Sequence, residues 1–129
     1  MSGRFLLDTN IVIALWANDA TVTSPLAAAR EVFVPIIVLG ELYYGARKSA
    51  WSATNIARID EFAARSSILL CDLTTAQQYG AIKNALRAKG RPIPENDLWI
   101  AAVATQYGLT LASRDDHFGY VEGLTIVKW

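Results

Sequence analysis

The chain has 129 residues, 12 Lys and Arg against 12 Asp and Glu, with 53% hydrophobic and 19% charged residues. One domain with a buried core fits that length and global disorder does not, and zero formal charge argues against broad electrostatic coating of nucleic acid while leaving room for a local basic rim. A single cysteine and a single histidine exclude an internal disulfide and a multi-histidine zinc centre, so any metal is expected to be held mainly by oxygens.

In chain order, Phe5, Leu6 and Leu7 are apolar and end at Asp8, which predicts a strand over 4–8. Thr9 and Asn10 then cap a helix through the apolar residues 11–17. Ser24-Pro25 reads as a capping serine and first-turn proline of a short helix, followed by a strand over 32–34. Pro35 suits the first turn of a helix over 36–48 that carries Glu41 on an apolar face. Residues 52–66, with Ile56, Ile59, Phe62 and Ala63 at helical spacing, predict an outer amphipathic helix. A buried strand over 68–71 follows, ending at Cys71 as a small buried residue. Residues 74–89 form a helix stopped by Gly90, Pro92 and Pro94 break the chain, and Asn96 caps a helix over 97–107 that Gly108 stops. Strands over 109–112 and 124–127 complete the pattern. The alternation predicts one α/β domain, residues 1–129, with a central, mostly parallel sheet of four or five strands and helices on both faces. The apolar runs 32–40 and 98–104 are far shorter than the roughly 20 residues of a membrane-spanning helix, and Asp8 interrupts any secretory apolar region. No membrane association and a cytoplasmic location are expected.

In a parallel sheet, Asp8 and Asp115 both follow strands at the carboxyl edge, where such folds bind ligands. Asp8 alone also suits an Asx turn or helix cap. Glu41, between Val38-Leu39 and Leu42 to Tyr44, needs a cation, a hydrogen-bond partner or a raised pKa. An arginine ion pair would satisfy it, and so would a metal. Gly45, one turn on, leaves open space beside Glu41, as a pocket wall would. Asp97 also suits a helix N-terminus, and Asp115 and Asp116 suit a turn. Together Asp8, Glu41, Asp97 and Asp115 would crowd one crevice with negative charge that a divalent cation neutralises, Mg2+ or Mn2+ by ligand hardness. Such a cation can activate water for phosphodiester hydrolysis. An aspartyl phosphotransferase reading is disfavoured, because residue 10 is Asn rather than the second acid of an Asp-x-Asp pair.

At these residues the sequence resembles the PIN-domain ribonucleases, and within them the VapC toxins of toxin–antitoxin pairs. The carriers are Leu7-Asp8-Thr9-Asn10, Leu39-Gly40-Glu41-Leu42 with Tyr44-Gly45, Asn96-Asp97-Leu98-Trp99-Ile100-Ala101-Ala102, and Leu111-Ala112-Ser113-Arg114-Asp115 with His117-Phe118 and Gly123-Leu124. Their order and spacing run nearly end to end. The resemblance implies a metal-dependent RNA endonuclease with Asp8, Glu41, Asp97 and Asp115 as its acidic residues. It gives Thr9, Asn10 and Ser113 supporting roles, and Asp116 competes with Asp115. It implies an RNA substrate, a small neutralising antitoxin and a homodimer. The alternative is a catalytically silent PIN-like module whose acidic crevice receives a partner's arginine.

The remaining candidates read as follows. Arg87, Lys89 and Arg91, like Arg47, Lys48 and Arg114, suit exposed loops, with an RNA path as the alternative. His117 reads as a turn residue rather than a general acid. Core packing is the default for Trp16, Trp51, Tyr43 and Tyr44, which would be interface anchors if exposed. Trp99 and Trp129 read as structural.

Overall fold

The computed structural model describes residues 3–129, so residues 1 and 2 of the expected 1–129 domain lie outside the described residues. The elements alternate: β1 (Arg4–Leu7), α1 (Thr9–Trp16), α2 (Ala20–Ala28), β2 (Glu31–Pro35), α3 (Ile36–Lys48), α4 (Ser52–Arg65) and β3 (Ser67–Leu69). The chain continues through α5 (Leu73–Ala88), α6 (Glu95–Tyr107), β4 (Thr110–Ala112), a 3-10 turn (Asp116–Tyr120) and β5 (Ile126–Val127). All five strands pair in parallel in the order β3-β2-β1-β4-β5, with Phe5 beside both Val32 and Thr110. The chain first builds outward from β1 to β2 and β3, then returns across the sheet to β4 and β5. Crossovers between parallel strands are right-handed almost without exception, so crossovers running in opposite directions lay helices on opposite faces.

Buried strand residues Leu6, Leu7, Val34, Leu111 and Ala112 form the middle of the core. Helix α6 is buried nearly all round, through Leu98 and every residue from Ile100 to Ala104, because it lies beneath α5 and beside β4. Its alanines permit that close approach. Gly108 ends it with a φ of 64°, a left-handed conformation that costs a side-chain-bearing residue strain. Among the described residues no single helix is long and apolar enough to cross a membrane.

Several sequence expectations are corrected. Asp8, rather than Thr9 or Asn10, caps α1, its Oδ1 accepting the Thr9 N–H at 2.8 Å. Helix α2 begins at Ala20 under an Asp19 cap, and Pro25 lies inside it. A proline there forgoes only the bond to the Thr21 carbonyl in an exposed first turn, while Asp19 satisfies the Thr21 N–H at 3.0 Å. Strand β2 runs through Pro35, which precedes α3 in extended conformation. Strand β3 ends at Leu69, leaving Cys71 exposed in the loop before α5. Helix α6 starts at Glu95 without a side-chain cap, since Asn96 points its amide elsewhere. Strand β5 is shorter than expected, and the 3-10 turn before it, anchored by the fully buried Phe118, has no periodic signal in so few residues. Trp51 and Tyr44 are exposed, at 73% and 66%. Trp16 meets Phe62 edge-on at 5.6 Å, Trp99 stacks on Tyr79 at 4.1 Å, and Trp129 packs on Phe5 at 4.8 Å.

Candidate metal centre at the carboxyl edge of the sheet

Strand β1 neighbours β2 on one side and β4 on the other, so chain direction diverges at the β1–β4 boundary. In open α/β sheets that divergence opens a crevice beyond the strand ends. Asp8 and Ser113 are the first residues past β1 and β4, and the Asp8 N–H bonds the Ala112 carbonyl at 3.0 Å. The Ser113 hydroxyl donates to Asp8 Oδ2 at 2.7 Å and accepts the Asp115 N–H at 3.0 Å. One buried hydroxyl therefore ties two acids on different strands to each other.

Helix α3 brings Glu41 to the same place. Its Oε1 accepts from Thr9 Oγ1 at 2.6 Å and its Oε2 from the Asn96 amide at 3.4 Å, so α1, α3 and α6 are linked through this carboxylate. Among the described residues no arginine forms the ion pair that the sequence left open for Glu41. Asp97 enters from the first turn of α6, half-buried. The Asn10 Oδ1 accepts the Arg114 N–H at 3.2 Å, in the loop that carries Asp115.

The four acids act on one another electrically. Burial holds the Asp8 carboxyl above its ordinary range, against the lowering pull of Ser113 and Thr9, and the charges of Glu41 and Asp115 add to the rise. Asp97 is pushed up to about 7, first by burial, then by the charges of Asp8, Asp115 and Glu41, and by a hydrogen bond to Asp115 that favours the proton. Carboxylates forced together without a buried cation to balance them fit a site that binds one. Ligand atoms of Asp97, Asp115 and His117 lie within 4.8 Å of one another. The donor set is carboxylate oxygens with one imidazole, which suits a hard or borderline divalent ion.

Asp116 is not brought into this group. It is largely exposed and pairs with Lys128 Nζ at 3.0 Å. His117, read from sequence as a turn residue, belongs at the rim: the 3-10 turn folds its Nδ1 to 2.9 Å from Asp115 Oδ1. The Asp115-x-His117 spacing was the available signal, but only the turn gives it meaning. Lys89 and Arg91 are exposed, as read from the sequence, whereas Arg114 is half-buried. Arg114 bonds Asp19 Oδ2 and the Trp129 carbonyl, both at 2.8 Å, and holds the Asp19 carboxyl down at about 2. Lys89 reaches the Tyr120 carbonyl at 3.0 Å and Arg91 lies 5.0 Å from the Tyr120 ring centre, so both brace the chain after β4.

Two grooves flank Glu41. One, of about 230 Å³, is lined by Thr9, Ile13, Trp16, Leu42 and Ile59 among others. The other, of about 590 Å³, runs along α3 past Gly40, Tyr44, Gly45 and Lys48 to Asn96. The open space expected beside Gly45 is present, since a Cβ built there meets nothing within 4 Å.

Residues 5–124 match the PIN domain family. The chain is 40% identical to Ribonuclease VapC2 of Haemophilus influenzae, covering 98% of each chain. It is 33% identical to the tRNA(fMet)-specific endonuclease VapC of Shigella flexneri, again over 98% of each. Among solved structures it resembles that of VapBC2 from Rickettsia felis bound to a DNA fragment from their promoter. There the TM-score is 0.88 at 29% identity, covering 97% of this chain and 98% of that one.

Proposed function

The chain belongs to the PIN-domain family, in its VapC group, and from that premise we propose that it is a divalent-metal-dependent endoribonuclease held inactive by a small antitoxin. The observation that carries the reading is the convergence of Asp8, Glu41, Asp97 and Asp115, whose mutual repulsion with burial lifts Asp97 to about 7. Those four carboxylates would hold the ion, Mg2+ or Mn2+. When bound, such an ion polarises a phosphoryl oxygen and lowers the pKa of a bound water.

The chain's own residues set the stage for that chemistry. Thr9 Oγ1 orients Glu41 by donating to Oε1, and Ser113 Oγ orients Asp8 by donating to Oδ2. Each carboxylate is thus fixed by a hydroxyl on one side. Asp97 carries its proton at mildly acidic pH and releases it near neutrality, when its carboxylate becomes available to a cation or to a proton on water.

An antitoxin partner is supported by the VapBC complexes among the structural neighbours. The smaller groove offers it Trp16 and the 54%-exposed Ile13 next to Glu41, and a partner arginine would compete with metal for the same carboxylates. A homodimer is the expected assembly, to be read by light scattering. Antitoxin-free protein is expected to cleave RNA with Mg2+ or Mn2+ and to lose cleavage in EDTA. Asp97→Asn should lose more than about a hundredfold, beyond the loss typical of outer-shell changes, with an unchanged circular dichroism spectrum. Cleavage retained in both Asp97→Asn and Asp8→Asn would sink the reading, and tight antitoxin binding without any metal binding would replace it with the silent module.

A further inference from the structure

Helix α3 continues for two turns beyond Glu41, and its outward face there is unusual in composition. Glycine is the least favourable residue of a helix interior after proline, yet α3 carries two, Gly40 and Gly45. Neither is required by a left-handed backbone, and a Cβ built on either meets nothing within 4 Å. Packing does not explain them. Their effect is to leave the wall bare on both sides of Glu41, along the groove of about 590 Å³. At its outer end the 66%-exposed Tyr44 ring is covered on one face by the Lys48 ammonium, 4.5 Å from the ring centre. Among the described residues no carboxylate pairs with Lys48.

An exposed aromatic face one turn beyond an acidic centre, with an ammonium that no carboxylate pairs one turn further on, is the combination that single-stranded nucleic acid uses, base on ring and phosphate on ammonium. Resting on the ribonuclease reading, we propose that this groove seats the substrate nucleotide next to the cleaved linkage. Its base lies against the free face of Tyr44, and a neighbouring backbone phosphate meets Lys48. The glycines give the strand room to pass Glu41. Ile36 and Ile37 also line this groove, but the bulkier apolar set of Trp16, Leu42 and Ile59 lines the other, so a protein segment is the weaker fit here.

The test uses a short fluorescein-labelled single-stranded RNA bound to the full chain in the Asp97→Asn background, read by anisotropy. Tyr44→Ala is expected to weaken binding about tenfold, and Tyr44→Phe, which keeps the ring, to bind as the parent does. Lys48→Met should flatten the slope of log affinity against log salt by about 0.7. Gly40→Ala supplies a signature that no structural role produces: it should raise the melting temperature while weakening RNA binding. In the otherwise wild-type chain, Tyr44→Ala should raise KM with Mn2+ affinity unchanged by calorimetry. If Tyr44→Ala binds RNA like its parent while the wild type cleaves, the groove assignment fails and the nuclease reading stands. If the variants lose self-association or antitoxin binding with RNA affinity intact, the face is a protein interface and the assignment is overturned. If the wild-type chain neither binds nor cleaves RNA with Mn2+, the nuclease reading itself falls.

Discussion

Ser113 is almost fully buried, and its hydroxyl has two obligations, to Asp8 Oδ2 and to the Asp115 N–H. Ser113→Ala leaves both without that partner, which should cost about 1–3 kcal/mol in urea unfolding. Because the lost bond lowers the Asp8 pKa, the variant's Asp8 should hold its proton to higher pH. Cleavage is then expected to fall about ten- to a hundredfold near neutrality, with the pH–rate profile displaced to the alkaline side. A profile that drops without moving would assign Ser113 to folding alone. Much at this scale was legible in the sequence: Asp8, Glu41, Asp97 and Asp115 are each a carboxylate in an apolar or strand-end context. That Asp116 turns to Lys128 while His117 turns to Asp115 was not, because adjacent residues of a loop differ only in which way the 3-10 turn points them.

Helix ends show the same division between local and tertiary causes. At the start of α5, Asp72 Oδ1 accepts the Thr75 N–H at 3.1 Å and the Gln106 amide of α6 at 2.8 Å, while Thr75 Oγ1 accepts the Asp72 N–H at 2.9 Å. This capping box is also the tie between α5 and α6. Asp72→Ala should therefore destabilise the chain, measured as a lower urea midpoint, with the α6 amides that flank Gln106 exchanging faster. Gly80, exposed in the interior of α5 with nothing within 4 Å of a built Cβ, gives the opposite sign. Gly80→Ala is expected to add about 1 kcal/mol, near 4 °C in melting temperature. Periodicity located all six helices to within a few residues, except where a proline misled it: Pro25 marks the middle of α2 because Asp19, held by Arg114 and Thr21, is the stronger start signal. Nothing local in residues 19–28 announces that partner 95 positions away.

For the molecule as a whole, the acidic edge couples folding to pH and metal. Asp8 and Asp97 have folded pKa values above the ordinary 3.8, so the folded chain binds protons more tightly than the unfolded one. Their contribution is present at low pH and is lost as pH rises from 3.8 through about 7, where Asp97 ionises. Asp19 and Asp72 run the other way, their stabilisation being lost as pH falls below 3.8. The metal-free chain should thus lose melting temperature as pH rises from about 4 to about 7 and level off above that, and Mn2+ should restore more at the higher pH. At about a hundred times its Kd the ion adds about 3 kcal/mol; a metal response independent of pH would argue against binding at Asp97. The sequence by itself determined the α/β class, the strand ends that carry Asp8 and Asp115, and the family, since apolar periodicity and short motifs are properties of neighbouring residues. The strand order, the hydroxyl shared by Asp8 and Asp115, and the two grooves beside Glu41 were decided only by the tertiary structure. Each depends on contacts between residues tens of positions apart, whose geometry no local pattern encodes.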